Sequence, residues 1–190
     1  MKSLRFVLPI ILLSLGATAF AQSDMHKPTD KLVLSDAQKS FTQLKTLAGT
    51  WEGQVTMDPP MPQVENAPIQ VSLRVTSRGN ALVHEMKEPG KPDDPSRYDH
   101  PLTMIYLDSD QLNLVHYCDA GNRPRMTGKV SPDGKTVEFE FANLSGGNEK
   151  GHMHHAVFTI IDANHHIEDW TYMMPGDKPM HAHADLRRVQ

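Results

Sequence analysis

Hydrophobic and polar residues alternate with a period of two along much of this chain. Ile69, Val71, Leu73 and Val75 alternate with Gln70, Ser72, Arg74 and Thr76, and Val137, Phe139 and Phe141 with Glu138 and Glu140. That period marks strands with one buried and one wet face. Turn-forming groups cut the pattern at Arg78-Gly79-Asn80, Asp108-Ser109-Asp110, Ser131-Pro132-Asp133-Gly134, Asp162-Ala163-Asn164 and Pro175-Gly176-Asp177. The segments between them predict strands near 51–57, 69–77, 81–88, 99–107, 111–117, 124–130, 136–142, 153–162, 166–173 and 180–187. Nearly all connections are of hairpin length, the Pro-rich loops at 57–68 and 88–98 excepted, and no βαβ alternation appears, so the sheet should be antiparallel. Ten short strands must hide their edges, and closure does this completely. The predicted fold class is therefore all-β, an antiparallel barrel of about ten strands, with a sandwich as the competitor.

One segment has a different period. Ala37, Phe41, Leu44 and Ala48 recur at helical spacing. Ser35 and Gln38 match a capping box, and Gly49 suits the exit. A short N-terminal helix over 36–48 follows, carrying no chemistry and suited to plugging the barrel.

The first residues change the setting. Lys2 and Arg5 precede an apolar run from Phe6 to Leu15, and Ala19-Phe20-Ala21 forms an A-x-A cleavage signature. The run is too short to span a bilayer. Residues 1–21 are thus expected to be a signal peptide, 22–34 a flexible leader and 35–190 the barrel domain. The expected location is the periplasm or the exterior, with no lipoprotein cysteine and no membrane anchor. Composition adds three constraints. With 19 Lys+Arg against 23 Asp+Glu and no basic block, the chain offers nucleic acid no electrostatic footprint. Cys118 is alone, so no intramolecular disulfide forms. The 11 His and 11 Met direct attention to the segments that carry them.

Leu47-Ala48-Gly49-Thr50-Trp51-Glu52-Gly53, directly after the helix, resembles the G-x-W opening of lipocalin-like (calycin) barrels. The resemblance implies a tryptophan across the closed end, beneath an arginine that Arg187 or Arg188 could supply. His116-Tyr117-Cys118 with Gly121-Asn122-Arg123-Pro124-Arg125-Met126 resembles an exported bacterial lipocalin-like family. Gly151-His152-Met153-His154-His155 and Glu168-Asp169-Trp170 extend that resemblance, which spans roughly residues 38–190. It implies a small barrel and no catalytic assignment. The helix and the Gly49 to Gly53 opening also resemble, more distantly, the nitrobindin-like barrels, which hold haem through a histidine.

Candidate chemistry clusters at a few positions. Leu112, Leu114, His116 and Cys118 share a strand face, as do Leu82, His84 and Met86, so His84 and His116 are expected to point inward. Tyr117, Asn122 and Arg125 are expected near the mouth, where an arginine could clamp an anionic group. His154 and Trp170 complete a candidate lining for a partly apolar small molecule. The competing reading is structural: a turn at Gly121-Asn122 and core histidines with hydrogen-bond partners. His152, His154, His181 and His183 form two H-x-H pairs, the alternative being a copper or zinc site with nearby Met. His165-His166 is expected at an exposed turn. An enzyme could be built only from His116 with Asp119 or Glu168; no G-x-S-x-G, H-E-x-x-H, P-loop or Rossmann fingerprint is present. The sequence specifies no cofactor, and the expected partner is a small-molecule ligand.

Overall fold

The computed structural model describes residues 33–189. The proposed signal peptide and nearly all of the leader lie outside them. Helix α1 spans Asp36–Lys45, shorter than the 36–48 expected. Ser35 caps it as anticipated: its hydroxyl accepts from the Gln38 backbone, and the Gln38 side chain accepts from the Ser35 backbone. Ten strands follow: β1 Gly49–Asp58, β2 Ala67–Thr76, β3 Ala81–Lys87, β4 Leu102–Asp108 and β5 Gln111–Tyr117. The second half holds β6 Arg123–Val130, β7 Thr136–Ser145, β8 His152–Asp162, β9 His165–Met174 and β10 Lys178–Arg188. Each pairs antiparallel with its sequence neighbours, and β1 pairs with β10 to close the barrel. Closure, and not a sandwich, answers the edge problem.

The inward faces interdigitate into one core. Leu82, Ile105, Leu114, Met126, Val137, Phe139, Ala156, Phe158 and Leu186 have no accessible surface. A side chain without accessible area touches no water-sized space, so this part of the lumen is filled. Helix α1 covers one end with Phe41 and Leu44. The opposite, far end is formed by the connections that leave β1, β3, β5, β7 and β9.

The G-x-W-x-G opening has a specific role at the helix-covered end. Trp51 is fully buried, and its indole N–H donates to the Leu47 carbonyl at 2.8 Å. The Arg188 guanidinium lies 4.1 Å from the Trp51 ring centroid. It also donates to the carbonyls of Ala48 (2.7 Å), Ala163 (2.8 Å) and Thr46 (3.0 Å). Of the two arginines suggested by sequence, Arg188 is the one that closes the floor. Gly53 lets β1 approach β10, because a Cβ there would lie 1.9 Å from the Asp185 carbonyl oxygen.

Replacing Arg188 with Met should remove the cation–π contact and three carbonyl bonds together. The expected cost is about 1–3 kcal/mol, since some of those carbonyls can turn to water. The measurement is urea unfolding, with a lower midpoint at unchanged slope. An unchanged midpoint would show that the floor does not depend on Arg188.

Candidate functional site

Glu168 sits at the centre of the lumen with no accessible surface. Its neighbours on β9, His166 and Trp170, point inward with it because the strand alternates. The His166 Nε2–H donates to Oε1 at 2.9 Å and the Trp170 indole N–H to Oε2 at 3.0 Å. The third donor comes from across the barrel. His84 on β3 places Nε2 at 2.9 Å and 3.0 Å from the two carboxylate oxygens. Around the ring, β3 and β9 are separated by β2, β1 and β10, so this contact is a strut through the interior.

Burial alone would push the Glu168 carboxyl up. The adjacent His84, with hydrogen bonds from His166 and His84, outweighs burial and holds the group well below the usual carboxylate range. Each imidazole spends Nε2 on the carboxylate. The Nδ1 atoms of His84 and His166 are buried and have no partner among the described residues.

A second polar row lies beside this strut. Register pairing puts His84 opposite Thr103 and Thr103 opposite His116, all three inward and buried. His116 Nδ1 is hydrogen-bonded to Thr103 Oγ1 at 2.8 Å. Burial, assisted by His84, lowers the His116 pKa to about 4, so the ring is neutral at pH 7. Trp170 lies between the two histidines, with ring centroids 5.4 Å from His84 and 5.8 Å from His116.

Farther along β8 are His152 and His154. The His152 Nε2 and His154 Nδ1 atoms are 3.1 Å apart, and both rings pack on Phe141, at 4.7 and 4.9 Å. Phe141 is only half-buried, so this cluster forms part of the far rim.

The sequence-selected residues therefore separate into groups. His84, His116 and Trp170 converge inside, and His154 joins the rim. Tyr117 is 44% exposed and faces outward. Asn122 is buried but binds loops together, its amide donating to the carbonyls of Gly147 (2.9 Å) and Gly151 (2.7 Å). Arg125 faces the outer wall: Met126 takes the inward position, and the Arg125 guanidinium donates from Nε and Nη2 to Asn113 Oδ1 at 3.1 and 2.9 Å. It is not placed to clamp an anion inside the barrel.

The two H-x-H pairs do not assemble one four-nitrogen site. His152 and His154 stand at the rim, whereas His181 and His183 project from the outer face of β10, bonded to Thr171 Oγ1 and to Asp169 Oδ1. His166, expected at an exposed turn, is instead fully buried, its ring edge-on to Trp51 at 4.2 Å. The turn is tighter than expected, so β9 starts at His165 and His166 becomes its first inward residue. An inward His–carboxylate pair does exist, but His84 and Glu168 have no open pocket beside them, with side-chain exposures of 0% and 1%.

Fold and site together define a closed ten-stranded antiparallel β-barrel, a form compatible with ligand binding. One solved structure agrees at the level of fold. The crystal structure of Rv2717c from M. tuberculosis superposes with a TM-score of 0.56 at 14% identity, covering 83% of this chain and all of that one. A DUF3598-family protein of unknown function from Nostoc punctiforme (Npun_R4044) matches with a TM-score of 0.40 at 13% identity, over 77% of this chain and 49% of its own. No protein-family profile matches the chain, and no curated protein matches it.

The lowered His116 pKa makes a directional prediction. The unfolded ring takes a proton near pH 6.5 and the folded ring only near 4. Stability from neutral His116 is therefore complete above pH 6.5 and lost as pH falls toward 4. The loss should be about 3 kcal/mol over that window, measured by denaturant unfolding at several pH values. His116→Gln should flatten the profile between pH 6.5 and 4.5, where Glu168 does not yet contribute. An equally steep profile in the variant would contradict the assignment.

Proposed function

We propose that this protein is an exported barrel that binds a small, partly apolar molecule at the far mouth. The observation that carries the reading is the convergence of His84, His116 and Trp170 below the half-buried Phe141 rim. A purely structural core would be served better by apolar side chains, since each buried polar atom must be partnered at a cost. The neutral His116 ring can offer a hydrogen bond to a polar group, while Phe141 and Trp170 supply apolar area. The packed lower lumen limits the ligand to the outer half of the barrel. Among the described residues no arginine is buried in the interior: Arg125 is on the outer wall and Arg188 is committed to the floor. An uncharged polar group fits these surroundings better than an anionic one.

Binding is testable with N-phenyl-1-naphthylamine, a neutral apolar fluorophore. The expected result is saturable enhancement at one site per barrel with a micromolar Kd. Phe141→Asp, at the half-exposed rim, should weaken it at least tenfold, and His116→Phe should do the same if that variant folds. No saturable binding, or an unchanged Kd in Phe141→Asp, would overturn the proposal.

Export has its own readout. Expressed in a Gram-negative host, the protein should appear in the periplasmic fraction with Gln22 as its first residue, by intact mass. Retention of the uncleaved chain in the cytoplasm would contradict it.

A further inference from the structure

A separate cluster lies on the outside of the wall. Strand parity that sends Phe139 and Ala156 inward sends Glu138, Glu140 and His155 outward, and register places Glu140 directly opposite His155. His155 Nε2 is 2.9 Å from Glu138 Oε1 and 3.7 Å from Glu140 Oε1. One donor atom from each of the three lies within 4.8 Å of the others. We propose that Glu138, Glu140 and His155 form a binding site for a borderline divalent metal ion of the zinc or cobalt type.

Charge and geometry support this assignment. Glu138 and Glu140 are two residues apart on one strand face, so their carboxylates repel. An imidazolium between them can balance one charge; a divalent ion balances both. An ordinary His–Glu pair accounts for Glu138, and the strand register brings a second carboxylate, Glu140, to the same nitrogen. Tetrahedral donors around zinc stand about 3.3 Å apart, given metal–ligand bonds of roughly 2.0–2.2 Å. Closing the cluster to that size needs only small rotations of two partly exposed glutamates, while the paired strands hold their origins fixed.

The donor set selects the metal class. Two carboxylates and one imidazole suit zinc, cobalt or manganese, and the absence of sulfur from the set disfavours Cu(I). Three protein donors also leave an open position. His155 forms one edge of a surface groove of about 390 Å³ that contains Asp169, Thr171, His181 and His183. The second H-x-H pair thus lines the same groove as His155.

The test is titration of tag-free protein with Co²⁺ and Zn²⁺, followed by visible absorption and calorimetry. One ion per chain with a micromolar Kd is expected. His155→Ala and the double variant Glu138→Gln/Glu140→Gln should each weaken binding at least tenfold. These residues are partly exposed, so an unchanged Tm without metal serves as the folding control. Substituting His152 and His154 with Ala should leave the affinity intact. Binding no tighter than millimolar would overturn the site, as would affinity that survives His155→Ala or is lost with His152 and His154.

Discussion

A carboxylate stripped of water in the middle of a barrel must find its stabilisation inside the protein. Removing an ion from water costs several kcal/mol even after relaxation, and only well-placed donors and charges offset that. Glu168 obtains three nitrogen donors, two from its own strand and one from the opposite side of the lumen. The cross-lumen donor, His84, ties β3 to β9 at a separation of 84 residues. His166 carries the network down to Trp51, and Trp51 to Arg188 and the segment after the helix. The polar centre and the closed floor are therefore one connected unit.

That unit divides the molecule into regions with different capacities. Below Glu168 the lumen is filled and closed. Beyond it, His116 and Trp170 are buried, and the half-buried Phe141 and His154 are the rim side chains that reach solvent. Outside, the same strand alternation that buries Glu168 and Trp170 exposes Asp169 and Thr171. His155 of β8 and His181 and His183 of β10 follow suit and populate the outer wall.

Much of the fold was legible in the sequence, because local patterns encode it. Period-two alternation and turn residues located the ten strands, and the Ser35–Gln38 box located the helix start. The inward direction of His84, His116 and Trp170 followed from the same parity. What sequence could not show was contact across the lumen: Glu168 read as a neighbour of Trp170, and its bond to His84 depends on closure. Counting rightly grouped His154 with His152, which meet in the structure, but gave the outward His155 no part. Arg125 was expected at the mouth, whereas alternation with the inward Met126 sets it outside the wall. His166 was missed because the hairpin before it is tighter than its Asp-Ala-Asn composition suggested. The signal for His155 was present, since Glu138 and Glu140 already shared an outward face; only the β7–β8 register was lacking.

The central claim is that an ionised Glu168 holds the interior together, and carbon-13 NMR of its carboxyl group tests this directly. With labelled glutamate, the Glu168 signal can be assigned by its loss in Glu168→Gln. It should keep the chemical shift of a carboxylate at every pH at which the barrel stays folded, including values below the ordinary glutamate range. A Glu168 carboxyl that is protonated in the folded protein at pH 5 would contradict the account.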